Sequence, residues 1–273
     1  MKPTLAGYAR ASTIAEATAW LAEAEGEAKV IAGGQSLMAA MNMGLAGDTR
    51  LIDINGIAAL QGIRVEGDRL VIGALTRHAE LGRNALIAEH APLLQRAVPL
   101  IAHEAIRSRG TIGGSLSHAD PAAELPACVL ALDGRIRIAG PEGEREVAAD
   151  DFFQDVFVTD LGSDEIVTAI SLPLAGADET HDIRELSRRA GDFALAGLAF
   201  VKRGGAHRIA FFGTGPRPLL ARGVMAALDA GDTAGALEAL SGDIEPQSDA
   251  HASAAYRGHL ARVLLSRCLK DHA

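Results

Sequence analysis

Two glycine pairs carry the spacing from which chemistry could be built: Ala32-Gly33-Gly34-Gln35-Ser36-Leu37 and Thr111-Ile112-Gly113-Gly114-Ser115. A phosphate needs several donors converging at close range. Consecutive backbone N–H groups in a glycine loop provide them, because no side chain blocks the approach. The first segment has a strand before it and a helical pattern after it, and a helix starting there adds a favourable dipole. The second repeats the theme between polar Arg107-Ser108-Arg109 and Ser117-His118-Ala119-Asp120-Pro121. Two such loops suit a diphosphate better than one phosphate. Each also reads as an ordinary tight turn, and the residues alone leave both readings open. Neither loop is a Gly-x-Gly-x-x-Gly or a Gly-x4-Gly-Lys-Ser/Thr motif. Gly213-Thr214-Gly215-Pro216 reads as a turn, since Pro216 stands where a dinucleotide fingerprint would need to continue.

Other candidates are weaker. Ser117, His118 and Asp120 invite a hydrolase reading, but a catalytic triad is a spatial arrangement that near-adjacent residues rarely form, and there is no Gly-x-Ser-x-Gly elbow. Arg107 and Arg109 face either an anion or solvent. Met38, Met41 and Met43 on one helix, and Trp20 on the first, read as packing. Cys128 reads as a buried small hydrophobe in mid-helix, and Cys268 as an exposed residue near the C-terminus with no reason to be reactive. No metal-ligand spacing is evident among the scattered histidines.

The elements that must position these residues follow from periodicity. Thr13 and Glu16 form a capping-box pair, after which Ile14, Ala17, Leu21 and Ala24 share a helical face. Strands are expected at 29–32, 50–54 and 69–74, and helices at 37–43, 85–97 and 100–106. Pro121 stands near the start of a helix running to 132. Residues 135–139 and 145–147 flank Pro141-Glu142-Gly143 as a hairpin, and 165–172 is a β-rich run ended by Pro173. Composition shifts at 175–178. Beyond it, 193–202 and 208–212 read as paired strands, and 218–228, 233–240 and 248–269 as helices. The order is that of an α+β protein, with residues 1–176 as one region and 177–273 as a smaller second domain.

The 273 residues are 48% hydrophobic and 22% charged, which is globular composition. The net charge of −9, with no Lys/Arg run, gives no nucleic-acid footprint. Two cysteines can form neither a disulfide framework nor the four-thiolate cradle of an iron–sulfur cluster, and the pattern suits a reducing cytoplasm. Met1-Lys2-Pro3-Thr4 lacks an apolar signal core, and no apolar run of about 18 residues crosses a membrane.

Six segments together resemble a known family: Ala-Gly-Gly-Gln-Ser-Leu at 32–37, Leu-Ile-Asp-Ile at 51–54, Ile-Gly-Ala-Leu-Thr at 72–76, Arg-Gly-Thr-Ile-Gly-Gly-Ser-Leu-Ser-His-Ala-Asp-Pro-Ala-Ala-Glu-Leu-Pro at 109–126, Asp-Asp-Phe-Phe at 150–153 and Arg-Arg-Ala-Gly-Asp-Phe-Ala-Leu-Ala-Gly at 188–197. The chain is similar to the medium, FAD-binding subunit of molybdenum hydroxylases, the group of carbon monoxide dehydrogenase and xanthine dehydrogenase. The resemblance implies a two-lobed FAD-binding region of the vanillyl-alcohol-oxidase-like (PCMH) type, its lobes divided near 55–60, followed by an α+β C-terminal domain. It implies non-covalent FAD with the diphosphate at Ala32–Ser36 and Leu37 and at Thr111–Ser115. Glu124, where relatives usually carry Asp, would contact the sugar–ribityl part. The backbone near Ile166 would lie by the flavin ring, as would Phe193, where relatives often carry Tyr. A lysine of some relatives near 184 is Arg184 here.

By the same resemblance, a large subunit holds the molybdenum cofactor, a small subunit holds two [2Fe–2S] clusters, and this chain passes electrons from a cluster through FAD to an external acceptor, within a dimer of heterotrimers. No residue of this chain is implied as catalytic or as a metal ligand. The alternatives are a stand-alone flavin oxidoreductase on the same fold and a structural or nucleotide-sensing subunit that passes no electrons.

Overall fold

The computed structural model describes residues 5–272; the stretch Met1-Lys2-Pro3-Thr4, read above for a signal core, lies outside them. Strands β1 (Leu5–Arg10), β2 (Ala28–Ile31) and β3 (Thr49–Asp53) form a parallel sheet in the order β1-β3-β2. The helix Ile14–Glu23 joins the first two and buries Ala17, Thr18 and Leu21. Its cap works as the sequence implied at one end only. Thr13 Oγ1 accepts from the Glu16 amide, whereas the Glu16 carboxylate reaches back to the amide and hydroxyl of Ser12.

The second sheet is antiparallel, built from β4 (Ile63–Glu66), β5 (Arg69–Gly73), β6 (Arg135–Gly140) and β7 (Gly143–Ala148), with a later strand at its centre. After the short pair β8 (Phe153–Asp155) and β9 (Val158–Thr159) comes that central strand, β10 (Ile166–Pro173), giving the order β4-β5-β10-β6-β7. The third sheet holds β11 (Glu179–Ser187), β12 (Ala194–Arg203), β13 (Ala206–Phe212) and β14 (Leu219–Leu220) in sequential antiparallel order. Helices Arg222–Asp229, Thr233–Asp243 and Ala254–His272 follow it.

The helix Glu124–Ala131 lies between the second and third sheets. All eight of its residues are buried, and its core runs from Leu70, Ile72 and Ile136 on one side to Ala199, Val201 and Phe212 on the other. A helix apolar on every face is stable only where every face is covered. Glu124 is its one ionisable group besides Cys128.

The structure departs from the expected elements where local chemistry overrides the period. Asp120 accepts the Ala122 amide in a tight turn, so the helix opens at Glu124 and not beside Pro121. The helix expected over 85–97 is two helices, Ala85–His90 and Pro92–Ala97, because Pro92 cannot continue the first. The one expected over 100–106 is the short Glu104–Arg107. The helix expected from 218 begins at Arg222, after β14, and the last begins at Ala254. Met43 terminates the helix Leu37–Asn42 and is exposed, so only Met41 of the three methionines is fully buried. Cys268, expected at the surface, is buried, as is Cys128. Among the described residues, no helix is long and apolar enough to cross a membrane.

Candidate functional site

The first glycine segment leaves the end of β2, and Gly34 turns it with φ +70°, a conformation that favours glycine. Its carbonyls are engaged. Ala32 O accepts from Asn55 Nδ2 at 2.8 Å, Gly33 O from Gln35 Nε2 at 3.0 Å, and Gly34 O from the Met38 amide at 3.2 Å. Among the described residues, the amides of Gly33, Gly34, Gln35, Ser36 and Leu37 have no acceptor. A run of open N–H groups with the carbonyls turned away is a backbone nest for an anion. Gln35 helps to build it by folding its side chain back onto Gly33.

The second glycine pair is not an equivalent loop. Thr111 caps the helix Ile112–His118, and both glycines lie in its first turn. The amides are spent: Ile112 N on Thr76 O at 3.0 Å, Gly113 N on Ala74 O at 2.9 Å, and Gly114 N on Thr111 Oγ1 at 3.1 Å. Gly113 is required by packing, since a Cβ there would lie 2.6 Å from Ala74 Cβ. Exposed Gly114 and half-buried Ser115 remain as the surface a ligand could approach.

The fold makes one cradle of the two segments. A Cβ on Gly33 would stand 2.4 Å from Arg109 O and 2.9 Å from Gly110 Cα. The first nest is therefore pressed against the turn that leads into the second segment. A polar strut not singled out in the sequence joins them. Asn55 donates to Ala32 O and to Asp53 Oδ1, Arg77 donates to Asn55 Oδ1 at 2.7 Å and to Arg109 O, and Tyr8 OH donates to Asp53 at 2.6 Å. The available signal was position: Asp53 and Asn55 sit at the carboxyl end of β3 in a parallel sheet, where sites gather.

Glu124 is 6% exposed and has no cationic partner among the described residues. Burial, then Glu185 and Asp120 nearby, push its carboxyl up to about 8. Glu185 on β11, also not singled out, is pushed up to about 7 by burial, and its Oε2 has no partner. Glu124 is thus a neutral acid at neutral pH and can donate a hydrogen bond. Phe193 is 65% exposed, immediately before β12. Ile166 pairs with Ala139 and turns its side chain into a core with Ile52, Ile54 and Leu75. Ala32 of the first glycine segment packs against that same core.

Three arginines left open by the sequence resolve differently. Arg107 binds the carbonyls of Ile101 and Ala102, and Arg184 pairs with Asp182 and Asp271, so both serve the fold. Arg109 is exposed. His118 stacks near Phe157 at 4.9 Å, in no triad with Ser117. Asp182, Cys268 and His272 converge within 4.8 Å, a cluster the sequence did not reveal. Asp182 is already met there by His272 and Arg184.

The donor set fits a dinucleotide diphosphate: five open amides held against the turn that leads to exposed Gly114. Comparison with known proteins agrees. The family model for an FAD binding domain in molybdopterin dehydrogenase matches residues 4–175, and that for the CO dehydrogenase flavoprotein C-terminal domain matches residues 181–272. The chain is 35% identical to the 6-hydroxypseudooxynicotine dehydrogenase complex subunit alpha of Paenarthrobacter nicotinovorans, covering 98% of this chain and 95% of that one. It is 34% identical to the carbon monoxide dehydrogenase medium chain of Hydrogenophaga pseudoflava, covering 98% and 97%. A solved carbon monoxide dehydrogenase from Hydrogenophaga pseudoflava, which lacks the Mo-pyranopterin moiety of the molybdenum cofactor, superposes with a TM-score of 0.95 at 36% identity, covering 99% of this chain and 98% of that one.

Proposed function

Because the chain belongs to the FAD-binding medium subunits of the carbon monoxide dehydrogenase and xanthine dehydrogenase family, we propose that it is the flavin-carrying, electron-transferring subunit of a molybdenum hydroxylase. The observation that carries this reading is the row of open amides at 33–37 held against the Arg109-Gly110 turn.

In this reading, those amides and the surface of Gly114 and Ser115 bind the FAD diphosphate, while Ala32, Thr111, Ile112 and Gly113 shape the two walls. Glu124, protonated at neutral pH, donates to the sugar–ribityl hydroxyls. Phe193 covers one side of the flavin ring, without the hydroxyl a tyrosine would add, and the backbone at Ile166 borders it. FAD supplies exchange of electrons singly and in pairs. The chain's own part is to hold the dinucleotide extended, bury its diphosphate charge and keep a neutral acid beside it.

Binding is non-covalent, since neither glycine segment contains a histidine or cysteine. Residues 1–176 form the FAD-binding region, in two lobes, and 177–273 the C-terminal domain; the helix Glu124–Ala131 between the second and third sheets supports their acting as one unit. Electrons arrive from [2Fe–2S] clusters on a small partner subunit and leave to an external acceptor, while a large partner subunit holds the molybdenum cofactor, in a cytoplasmic dimer of heterotrimers. The presence of only two cysteines, both buried and unpaired, supports placing the clusters elsewhere.

The test is purification from the native source. FAD should travel with this chain, and iron and molybdenum with co-purifying chains, and acid precipitation should release all the flavin. A chain isolated without partners and without flavin sinks the proposal; flavin retained after acid sinks the non-covalent part alone.

A further inference from the structure

We propose that Arg77 provides the positive charge that meets the diphosphate of the bound dinucleotide, while gripping both walls of its cradle. The inference rests on the FAD reading and adds to it a ligand-binding residue outside both glycine segments.

The geometry is specific. The Arg77 backbone bridges to Thr111, the head of the second segment. Its guanidinium donates to Arg109 O, the carbonyl against which Gly33 is pressed, and to Asn55 Oδ1, whose amide holds Ala32 O. One side chain thus touches both walls at their closest approach. A guanidinium has five N–H donors. The two bonds named leave the others free, on the border of a polar cavity of about 440 Å³ that Asn55, Thr76 and Glu80 also line.

The local charge is unbalanced. Half-burial depresses the Arg77 guanidinium, and the nearby charge of Arg109 does so further. Among the described residues, neither arginine makes an ion pair, and Arg10 adds a third cation beside Asp53. The Asp53 carboxylate acts on Arg77, yet its oxygens are taken by Tyr8 OH at 2.6 Å and by Asn55 N and Nδ2 at 2.8 and 2.7 Å. Two unpaired guanidiniums beside a run of open amides favour an anion there. A diphosphate fits that place, and a planar fork suits its oxygens.

The test separates charge from scaffolding. The flavin-free chain is titrated with FAD, ADP and riboflavin at low and high salt, as wild type, Arg77→Met and Arg77→Lys. Arg77→Met should weaken FAD and ADP binding about tenfold or more at low salt, leave riboflavin unchanged and flatten the salt dependence. Arg77→Lys should recover part of the affinity, because it restores the charge without the fork. Unchanged FAD and ADP affinities in Arg77→Met overturn the inference. So does an equal loss for all three ligands, which would make Arg77 a strut only. A wild-type chain that binds no FAD overturns the cofactor reading and this inference with it.

Discussion

Replacing Glu124 by glutamine tests the buried acid at the site. Burial raises this carboxyl from its ordinary 4.5 to about 8, so the folded chain holds a proton there that the unfolded chain has released. The fold therefore binds more protons than the unfolded chain between those two values, and its stability falls as pH rises through that window. At about 1.4 kcal/mol per pH unit, the loss reaches roughly 3 kcal/mol by pH 7 and is complete above pH 8 or so. Glutamine keeps the shape and cannot ionise. The stability difference between Glu124→Gln and wild type should grow in favour of the variant by roughly 3 kcal/mol from pH 5 to pH 8. Urea unfolding of the flavin-free chain at pH 5, 6.5 and 8 measures it, as a midpoint change of about 1 M for a slope near 3 kcal/mol per M. Glu185, still present, titrates in both proteins and cancels to first order. Parallel stability curves for the two proteins would falsify the buried-acid argument. FAD provides a second readout: wild-type affinity should drop as Glu124 ionises above about pH 8, while that of Glu124→Gln stays level.

The glycines separate by what surrounds them. Gly33→Ala places a Cβ 2.4 Å from Arg109 O and should lower stability by about 1–3 kcal/mol along with FAD retention. Gly114→Val meets the capping Thr111 hydroxyl at 2.8 Å, so it should cost about 1 kcal/mol, stay folded and lose FAD; full flavin occupancy in a folded Gly114→Val removes that surface from the site. Cys268 is buried with its thiol pushed up to about 12, and Cys128 is buried too. Neither should react with a thiol reagent at pH 8 until urea is added, and rapid labelling of the native chain contradicts the packing around them. Phe193→Ala removes an exposed side chain, so stability should change by no more than about 0.5 kcal/mol. Bound flavin should nevertheless shift its visible absorption; an unchanged spectrum places Phe193 away from the ring.

The sequence by itself determined the parts that depend on local pattern. The two glycine pairs, the α+β order of elements, the hairpin around Pro141-Glu142 and the burial of Cys128 follow from turn chemistry and hydrophobic period. Other elements were hidden for physical reasons. β4 is a short edge strand with its side chains largely exposed, so it needed no apolar alternation. β11 is rich in charge because Glu179 meets Arg203, Asp182 meets His272 and Arg184 meets Asp271, partners distant in sequence.

Only the tertiary structure decided which glycines face a ligand. The two segments look alike as strings, yet one leaves its amides open while the other spends them on Thr76, Ala74 and its own cap. That distinction depends on what lies across the gap, as do the Asn55–Arg77 strut and the Glu124–Glu185 pair. Gly33 and Gly113 are glycines because the backbone presses against itself there; Gly114, which faces only the Thr111 hydroxyl, is the exposed one left for the ligand.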